Sequence, residues 1–461
     1  MLEKRAVVEL HYDYGTLVIP DAREEGLAAF MTWDDRTRVY RAPAERYRDV
    51  VMYLHTNKIP FTDHARKFER LPLAPKTAIE PFPHQKRALA AWAAAGGRGI
   101  VELPTGAGKT VLAVLAIAHA ERPTLVVVPT IELLLQWQRV LSEHFDEPVG
   151  IIGGGSNDRK RITVITYDSA ALQADFLGNQ FGLLVCDECH HLPAPGYRFI
   201  AAGSIAPYRL GLTATLQRPD GGERLCEELL GPSCYAETID ALEGRYLAPY
   251  DVERVDVELT PEEQATYEAE RQIYLSFLRS QAIDFDQQGG WAQFVMRCHR
   301  SEEGRRAFRA YRTQRQIAFA SESKLEALWR VILKHRDERI LVFTHENEIV
   351  YRLSHQLLLP VITHHTKVPE RKRLLAGFAA GELPVLLTSN VLNEGVDVPD
   401  ANVGVVLSGT GSVREHVQRL GRILRKRPGK RAVLYEICAN VWAESGVSER
   451  RRQHRAYERG G

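Results

Sequence analysis

The stretch of the sequence best suited to chemistry is a glycine-rich turn with the composition of a phosphate-binding loop. It reads Leu-Pro-Thr-Gly-Ala-Gly-Lys-Thr at residues 103–110. Glycines let the backbone approach an anion closely, and successive backbone N–H groups can then point at it. We expect Lys109 to reach the β- and γ-phosphates of a nucleotide and the Thr110 hydroxyl to be a ligand of Mg²⁺. The residues expected to hold the nucleotide are Thr105, Gly106, Ala107, Gly108, Lys109 and Thr110.

The segments around this turn favour the same interpretation. An apolar run at 99–103 precedes it and a helix-forming run at 111–120 follows it, which is the strand–turn–helix order that such a loop requires. The helix would direct the positive end of its dipole toward the phosphates. Because the usual pattern has glycine where Leu103 stands, a chance glycine turn remains the alternative at this point.

A pair of acids, Asp187 and Glu188, follows an apolar run at 181–186. At the end of a buried strand, Asp187 can hold Mg²⁺ through water, and Glu188 can orient the attacking water or accept its proton. The alternative is that both acids only cap a strand–helix turn. Together with the glycine loop, the pair predicts a site of nucleotide hydrolysis.

Other polar residues have the position or spacing to meet a nucleotide or a nucleic acid. The Gln85 amide both donates and accepts, so it can read an adenine edge, although a glutamine at a helix start more often faces solvent. Thr130 and Thr166 end predicted strands, where their hydroxyls can meet a phosphate backbone.

A basic helix is predicted much later in the chain. Gln418, Arg422 and Arg425 are spaced so that they share one helical face. Two guanidinium groups on such a face can reach across a cleft to a γ-phosphate, where charge develops during transfer. The alternative is a solvated basic face.

Alternating strands and helices supply the scaffold that these residues need. Apolar strand patterns alternate with amphipathic helices from residue 124, and a second such series begins at residue 339. Repeated βα units predict doubly wound parallel sheets that bind their ligands at the carboxyl ends of the strands. The predicted strands cover 124–130, 149–152, 162–167, 181–186, 208–212, 339–344, 385–390 and 403–407.

The composition of the whole chain restricts the class of protein. The 461 residues are enough for about three domains, and the net charge of +1 means that nucleic-acid binding must rely on local basic patches. No run is apolar enough to span a membrane and the first residues do not resemble a signal peptide, so we expect a cytoplasmic protein with six reduced cysteines. Cys186, Cys189 and His190 match a haem-attachment string, but that chemistry requires export.

Two regions lie outside the alternating pattern. Residues 1–75 predict a small α+β unit with a tight hairpin at 33–41 that bends within 34–36. This unit either senses DNA through Trp33 and nearby arginines or simply packs on the rest of the chain. The segment 262–318 is predicted to be helical, and it is either an ordinary packed hairpin or a protruding basic element that grips a nucleic acid.

The order of the motifs resembles that of superfamily 2 helicases. Gln85, the loop around Lys109, an Asp-Glu-x-His box ending at His190 and a Thr-Ala-Thr segment at 213–215 occur in the family's order. The resemblance implies an α/β fold with two RecA-like doubly wound parallel-sheet domains, and it implies ATP and Mg²⁺ as cofactors. It implies that His190, Thr213 and Thr215 couple the ATP state to domain movement. The residues expected at the ribose and nucleotide from the second half are Gly395, Asp397, Gln418, Arg422 and Arg425, and those expected at nucleic acid are Thr130, Thr166, Arg218, Thr344 and Thr388.

Within that superfamily the chain looks like the XPB-type DNA repair helicases. The similar features are the hairpin at Trp33, the His-His after the paired acids, the helical insert and the short carboxyl-terminal end. Family members use ATP to move along or unwind DNA 3′ to 5′, and several act beside a structure-specific nuclease. The family carries Arg-Glu-Asp after the Thr-Ala-Thr segment, whereas this chain has Arg-Pro-Asp at 218–220 and lacks the central acid.

The resemblance implies a division into domains and a mode of action. We expect a monomeric motor that acts on DNA, with the motor of a restriction-type system or an RNA helicase as alternatives. Intact Lys109, Glu188 and Arg425 argue against a nucleotide-gated scaffold that does not hydrolyse ATP. The expected domains are a damage-recognition-like domain at 1–75, motor domains at 76–245 and at 246–261 with 319–440, a thumb-like insert at 262–318, and a basic tail at 441–461.

Overall fold

The computed structural model of the chain describes residues 7–20, 25–218, 221–285, 289–344, 346–389, 401–407 and 431–441. The described residues divide into two compact units, one ending at Leu242 and the other beginning at Glu243. Within these ranges the strands form two sheets in the first unit and one in the second. No helix among the described residues is long and apolar enough to cross a membrane.

A small α+β domain forms the beginning of the first unit. Its described strands lie in the order β3-β4-β2-β1-β5. Leu17 and Ile19 alternate along one strand and are fully buried, together with Val50 and Leu54 of the helix that covers the sheet. The elements are β1 (Val8–Asp13), β2 (Thr16–Pro20), β3 (Thr32–Asp34), β4 (Val39–Pro43), α1 (Tyr47–Thr56) and β5 (Phe61–Asp63).

The hairpin that contains Trp33 has a wider turn than its sequence predicts. The last pair of β3 and β4 joins Asp34 to Val39, so the turn occupies residues 35–38. The Asp34 carboxylate accepts hydrogen bonds from the backbone N and the side-chain Nε of Arg36, at 3.1 and 3.0 Å. The expected bend within 34–36 is therefore wrong in length, because a side-chain carboxylate closes this turn in place of a two-residue bend.

The second sheet of the first unit is doubly wound and parallel, as predicted. Its described strands lie in the order β13-β6-β12-β11-β7-β10-β8-β9, and only the pairing of β8 with β9 is antiparallel. The elements are α2 (Pro83–Ala94), β6 (Arg98–Glu102), α3 (Lys109–Ala120), β7 (Thr124–Val128), α4 (Ile131–His144), β8 (Val149–Gly153), β9 (Ser156–Asp158), β10 (Ile162–Thr166), α5 (Tyr167–Leu177), β11 (Leu183–Asp187), α6 (Phe199–Ala202), β12 (Tyr208–Thr213), α7 (Glu223–Leu230), β13 (Ser233–Ala236) and α8 (Ile239–Leu242).

The strand order brings the predicted motifs together. The strand before the glycine loop, β6, pairs with β12, which ends at Thr213, and β12 pairs with β11, which ends at Asp187. The strands β11, β7 and β10 are fully buried along their length, which agrees with their unbroken apolar sequences. Parallel strands end at one edge, so the loop, the acids and the threonines share that edge.

The small domain is attached to the parallel sheet by directed hydrogen bonds. The Tyr12 hydroxyl donates to the carbonyls of Asp175 and Gly203, at 3.0 and 2.9 Å. Arg48 donates to the Gly96 carbonyl at 2.7 Å. Ile205 of the sheet domain is buried in the core of the small domain. The two domains of this unit thus share both polar contacts and apolar packing.

The second unit has a parallel sheet and a helical insert. Its described strands are all paired in parallel, in the order β14-β19-β18-β15-β17-β16. The elements are β14 (Tyr250–Val257), α9 (Pro261–Ser280), α10 (Gly290–Cys298), α11 (Glu302–Ala320), α12 (Glu322–Lys334), β15 (Ile340–Phe343), α13 (Asn347–Leu357), β16 (Val361–Ile362), α14 (Val368–Ala380), β17 (Val385–Thr388), β18 (Val403–Val406) and β19 (Ala432–Ala439).

The helical insert has a core of its own. Helix α9 begins with the predicted N-cap: the Thr260 hydroxyl accepts from the backbone N of Glu263, and the Glu263 carboxylate accepts from the backbone N of Thr260, both at 3.2 Å. Phe277 of α9, Phe294 of α10 and Ala307 of α11 are buried together. Among the described residues, the insert therefore has three helices around an aromatic cluster, more than the predicted hairpin.

Candidate nucleotide-binding site

The glycine loop connects β6 to α3, the position predicted for it. Lys109 is the first residue of α3, and Gly108 before it has a φ of 84°, in the left-handed region that favours glycine. Gly106 has a φ of 87°. A β-carbon at position 108 would lie 2.2 Å from Nε2 of Gln85. Glycine at position 108 is thus required both by its conformation and by its close neighbour.

Gln85 holds the loop through its amide. Its Nε2 donates to the carbonyls of Ala107 and Gly108, at 3.3 and 3.2 Å, and its Oε1 accepts from the backbone N of Phe82 at 2.9 Å. The side chain is buried, so the alternative of a solvent-facing glutamine is excluded. The neighbouring His84 ring lies 2.8 Å from the Ala107 carbonyl, a contact that sequence reasoning missed. Recognition of adenine by Gln85 stays a prediction.

The loop lysine lies against the second acid of the pair. Lys109 Nζ is 3.6 Å from Oε1 of Glu188, and the two side chains are each only 12% exposed. Nζ also donates to the carbonyl of Leu103 at 3.3 Å. Leu103, the residue that departs from the usual loop pattern, therefore contributes its backbone oxygen to the site, and this contact does not involve its side chain.

The two acids are held in different ways. Asp187 ends β11; its Oδ1 accepts from the backbone N of Glu188 at 3.0 Å, and its Oδ2 accepts from Nε1 of Trp137 at 2.8 Å. Burial, followed by the neighbouring Glu188 carboxylate, raises the pKa of Asp187. Glu188 has a φ of 47°, an unusual left-handed conformation for a residue with a side chain. This strained turn directs the Glu188 carboxylate toward Lys109.

The donor set fits a magnesium–nucleotide complex. The Oε2 atom of Glu188 is buried and receives no hydrogen bond from the described residues. Mg²⁺ in nucleotide sites is bound by one or two protein oxygens together with phosphates and water. Thr110 and Asp187 carry oxygens of this kind, and their binding of Mg²⁺ remains a prediction. No group of three or more His, Cys, Asp or Glu side chains in the described ranges could hold a metal ion by itself.

The residues expected to couple the ATP state to movement meet beside the acids. His190 Nδ1 lies 3.1 Å from the Thr213 hydroxyl and 3.5 Å from Oε2 of Glu188. The same hydroxyl donates to the Thr215 carbonyl at 2.8 Å and accepts from the Thr215 backbone N at 3.2 Å. One hydroxyl thus joins the acid box to the Thr-Ala-Thr segment, and His190 and Thr213 are fully buried.

The five residues predicted to contact nucleic acid differ in their burial and in their hydrogen-bond partners. Thr130 and Thr166 are the N-caps of α4 and α5, each accepting a backbone hydrogen bond at 3.3 Å. The Arg218 guanidinium donates to the His190 carbonyl. Thr344 and Thr388 are completely buried, and the Thr388 hydroxyl donates to the Ser389 carbonyl at 2.8 Å. Contact of these five residues with nucleic acid remains a prediction.

Several expected site residues lie outside the described residues. They are Gly395, Asp397, Gln418, Arg422 and Arg425, together with residues 219–220 and 442–461.

The cysteines of the C-x-x-C-H string have no access to a haem. Cys186 and Cys189 are fully buried in the core of the parallel sheet. Burial raises the pKa of both thiols, to about 12 at Cys186. These cysteines therefore pack as small apolar side chains.

Comparison with known proteins agrees with this architecture. Three family models match: the xeroderma pigmentosum group B helicase damage recognition domain at residues 10–65, the Type III restriction enzyme res subunit at 78–218, and the helicase conserved C-terminal domain at 323–427. The crystal structure of the Pyrococcus furiosus Hef helicase domain matches with a TM-score of 0.53 and 18% identity, over 80% of this chain and 98% of that one. The fold is that of a superfamily 2 helicase, with two RecA-like domains, and this expectation is confirmed.

Similarity to proteins of known name identifies the family within this superfamily. The DNA 3'-5' translocase XPB2 of Sulfurisphaera tokodaii is 40% identical over 97% of this chain and 100% of its own length. The DNA 3'-5' helicase XPB of Mycobacterium tuberculosis is 34% identical over 75% of this chain and 58% of its own length. The chain belongs to the XPB family of helicases, as its motifs indicated.

Proposed function

We propose that the protein is an ATP-dependent XPB-type DNA helicase or translocase that moves along DNA, or unwinds it, in the 3′ to 5′ direction. The observation that carries this proposal is the meeting of Lys109 and Glu188, 3.6 Å apart, with His190 and Thr213 beside them. These residues come from three adjacent strand ends and together form a hydrolysis site connected to a coupling segment. The family relationship over nearly the whole chain supports DNA as the polymer.

The chain's own residues have distinct tasks in this proposal. Backbone N–H groups of the loop and the Lys109 ammonium bind the phosphates, and Glu188 orients the attacking water and accepts its proton. Thr110 and Asp187 hold Mg²⁺, which when bound neutralises charge on the phosphate oxygens. Thr213 sits between His190 and Thr215, so a shift of Glu188 reaches the Thr-Ala-Thr segment through one hydroxyl.

The contributions of the second half belong to the same proposal. In the proposal, Arg422 and Arg425 stabilise the charge on the γ-phosphate during transfer. Gln418, Gly395 and Asp397 contact the nucleotide. The proposal also includes the domain division after residues 75, 245, 261 and 318, a monomeric cytoplasmic motor, and a structure-specific nuclease as partner. The match to the Type III restriction enzyme res subunit covers residues 78–218, whereas the match to the Sulfurisphaera tokodaii translocase covers 97% of the chain, which favours the XPB-type motor over the restriction-type alternative.

An ATPase assay tests both the kind of nucleic acid that stimulates the protein and the assignment of the hydrolysis site. We expect hydrolysis to be stimulated by single-stranded and duplex DNA and not by RNA of matched length, with Lys109→Ala as the inactive control. Duplexes with a 3′ or a 5′ tail then test the direction of movement, and only those with a 3′ tail should be opened or traversed. Equal stimulation by RNA would favour the alternative of an RNA helicase.

A further inference from the structure

A buried tryptophan outside the recognised motifs touches the magnesium-binding acid. Trp137 lies on α4 and is 1% exposed, and its Nε1 donates to Oδ2 of Asp187 at 2.8 Å. The sequence separates the two residues widely, and nothing in the helical pattern of α4 distinguishes Trp137 from a core residue. The contact exists because α4 packs across the strands β8, β10 and β7, and β7 pairs directly with β11.

This hydrogen bond fixes the direction of the carboxylate. An indole N–H can only donate, so it holds one oxygen of Asp187 and cannot compete with it for a cation. The other oxygen, Oδ1, accepts from the backbone N of Glu188 at 3.0 Å. With one donor on each oxygen, the plane of the carboxylate is set, and each oxygen retains acceptor capacity on its open side.

The main chain at Asp187 is fixed separately. The buried hydroxyl of Tyr167 donates to the Asp187 carbonyl at 3.1 Å. The backbone is therefore positioned without Trp137, and the indole acts on the side chain alone. Partners of metal-binding groups that act in this way commonly change metal affinity about 10- to 100-fold when they are removed.

We propose that Trp137 is a positioning residue that orients the Asp187 carboxylate for binding of the magnesium–ATP complex. This inference rests on the proposed ATPase function. It predicts that loss of the indole N–H weakens binding that depends on Mg²⁺ and leaves metal-free nucleotide binding almost unchanged. A merely structural role of Trp137 would weaken both to the same extent.

The chain offers a matched control. Trp92 is also 1% exposed in the same domain, and its Nε1 donates to the Arg209 carbonyl at 2.8 Å, away from the acids. Trp92→Phe and Trp137→Phe each remove one buried indole and one hydrogen bond of equal length. Equilibrium binding of a fluorescent ATP analogue is measured for both variants and the unaltered protein, with Mg²⁺ and with EDTA, without turnover.

The expected result is a loss of roughly tenfold in magnesium-dependent affinity for Trp137→Phe, with an affinity in EDTA within about twofold of the unaltered protein. Trp92→Phe should change neither value. Equal losses in both conditions, or no loss, would overturn the inference. Failure of the unaltered protein to bind the analogue with Mg²⁺ would instead overturn the proposed function.

A second measurement applies if Trp137→Phe does not fold. Indole N–H signals of the unaltered protein, labelled with ¹⁵N-tryptophan, are assigned by replacing the other tryptophans one at a time. Addition of Mg²⁺ to the ATP-bound protein should shift the Trp137 signal and leave the Trp92 signal in place. An unmoved Trp137 signal would contradict the inference.

Discussion

Lys109 and Glu188 form the contact from which the sharpest functional test follows. The ammonium and the carboxylate lie 3.6 Å apart and are nearly buried, and both are assigned to the phosphates and the attacking water. We expect Lys109→Ala to abolish ATP hydrolysis because the phosphates lose their cation. Glu188→Gln should still bind ATP but lose roughly 10²- to 10⁴-fold in kcat, the range for loss of a general base. Steady-state hydrolysis and equilibrium nucleotide binding are the measurements.

A neighbouring acid provides the control for this prediction. Glu102→Gln alters a carboxylate of the same sheet, which accepts from the Leu216 backbone N at 2.9 Å and is not assigned to the reaction. This variant should retain most of the turnover. If Glu188→Gln hydrolysed ATP at the rate of the unaltered protein, the assignment of the base would be wrong.

Arg425 provides another test at the scale of single residues, and its role is inferred from the sequence. A group that acts only on the transition state appears in kcat more than in ATP affinity. We expect Arg425→Ala to lower the kcat of DNA-stimulated hydrolysis steeply, since arginine fingers contribute roughly 10³- to 10⁵-fold in related phosphoryl transfers. Arg425→Lys should not restore it, because an ammonium cannot make the planar two-pronged contact. A kcat for Arg425→Ala within about twofold of the unaltered value at saturating ATP would exclude the finger.

At the scale of elements, the start of α3 depends on Gly108, where two separate features of the structure disfavour a residue with a side chain. Gly108 has a positive φ, and a β-carbon there would meet the Gln85 amide at 2.2 Å. Gly155 has a similar φ of 90° and open space around it. We expect Gly155→Ala to cost only backbone strain of about 1 kcal/mol, and Gly108→Ala to displace Gln85 and weaken ATP binding as well. Thermal unfolding and nucleotide titration of the two variants separate the effects, and equal ATP affinity in both would contradict the proposed link between Gln85 and the loop.

The elements also show where sequence reasoning reaches its limit. The buried strands were predicted because fully apolar runs have few alternatives, and α4 (Ile131–His144) is one of the amphipathic helices expected between them. The bond from Trp137 to Asp187 was not predicted, because it depends on how α4 packs on a sheet built from distant segments. Burial is a further limit: Thr344 and Thr388, which the family resemblance places at nucleic acid, are buried in the structure, and the sequence did not indicate this burial. Their contact with nucleic acid remains a prediction.

At the scale of the whole molecule, the family was evident from the order of motifs, whereas the attachment of the small domain was not. No periodicity predicts that Tyr12 donates to Gly203 or that the Asn179 amide donates to the Ala65 carbonyl at 2.9 Å. Such contacts join segments that are far apart in the sequence, so they depend on how the two folded domains pack on each other. The segment at 71–76, a linker that contains Pro72 and Pro75, joins the small domain to the first motor domain. In the structure this linker lies on the motor domain, through hydrogen bonds of its backbone.

The last prediction concerns this linker and the independence of the motor. The backbone N of Lys67, Leu71 and Lys76 donates to carbonyls of the motor domain at 2.9, 2.8 and 2.7 Å. Phe68, Leu71 and Leu73 are buried. We expect a protein lacking residues 1–64 to fold and bind ATP, because the strands and loop of the site all lie downstream of this cut. A protein lacking residues 1–75 should also fold but melt at least about 5 °C below the protein lacking 1–64, since it also loses the buried side chains of Leu71 and Leu73. Phe68 belongs to the core of the small domain, so both truncations remove its packing.

The two truncations are compared by thermal unfolding and nucleotide titration, with full-length Tyr12→Phe as a variant that loosens the domain contact without deleting it. Equal melting temperatures for the two truncations would show that the linker contributes nothing to the motor. Aggregation of the protein lacking 1–64 would show that the small domain is part of the motor's fold. The small domain covers the apolar side chain of Ile205 of the motor domain, and Tyr12→Phe leaves this packing in place. Tyr12→Phe should therefore lower the melting temperature by less than either truncation.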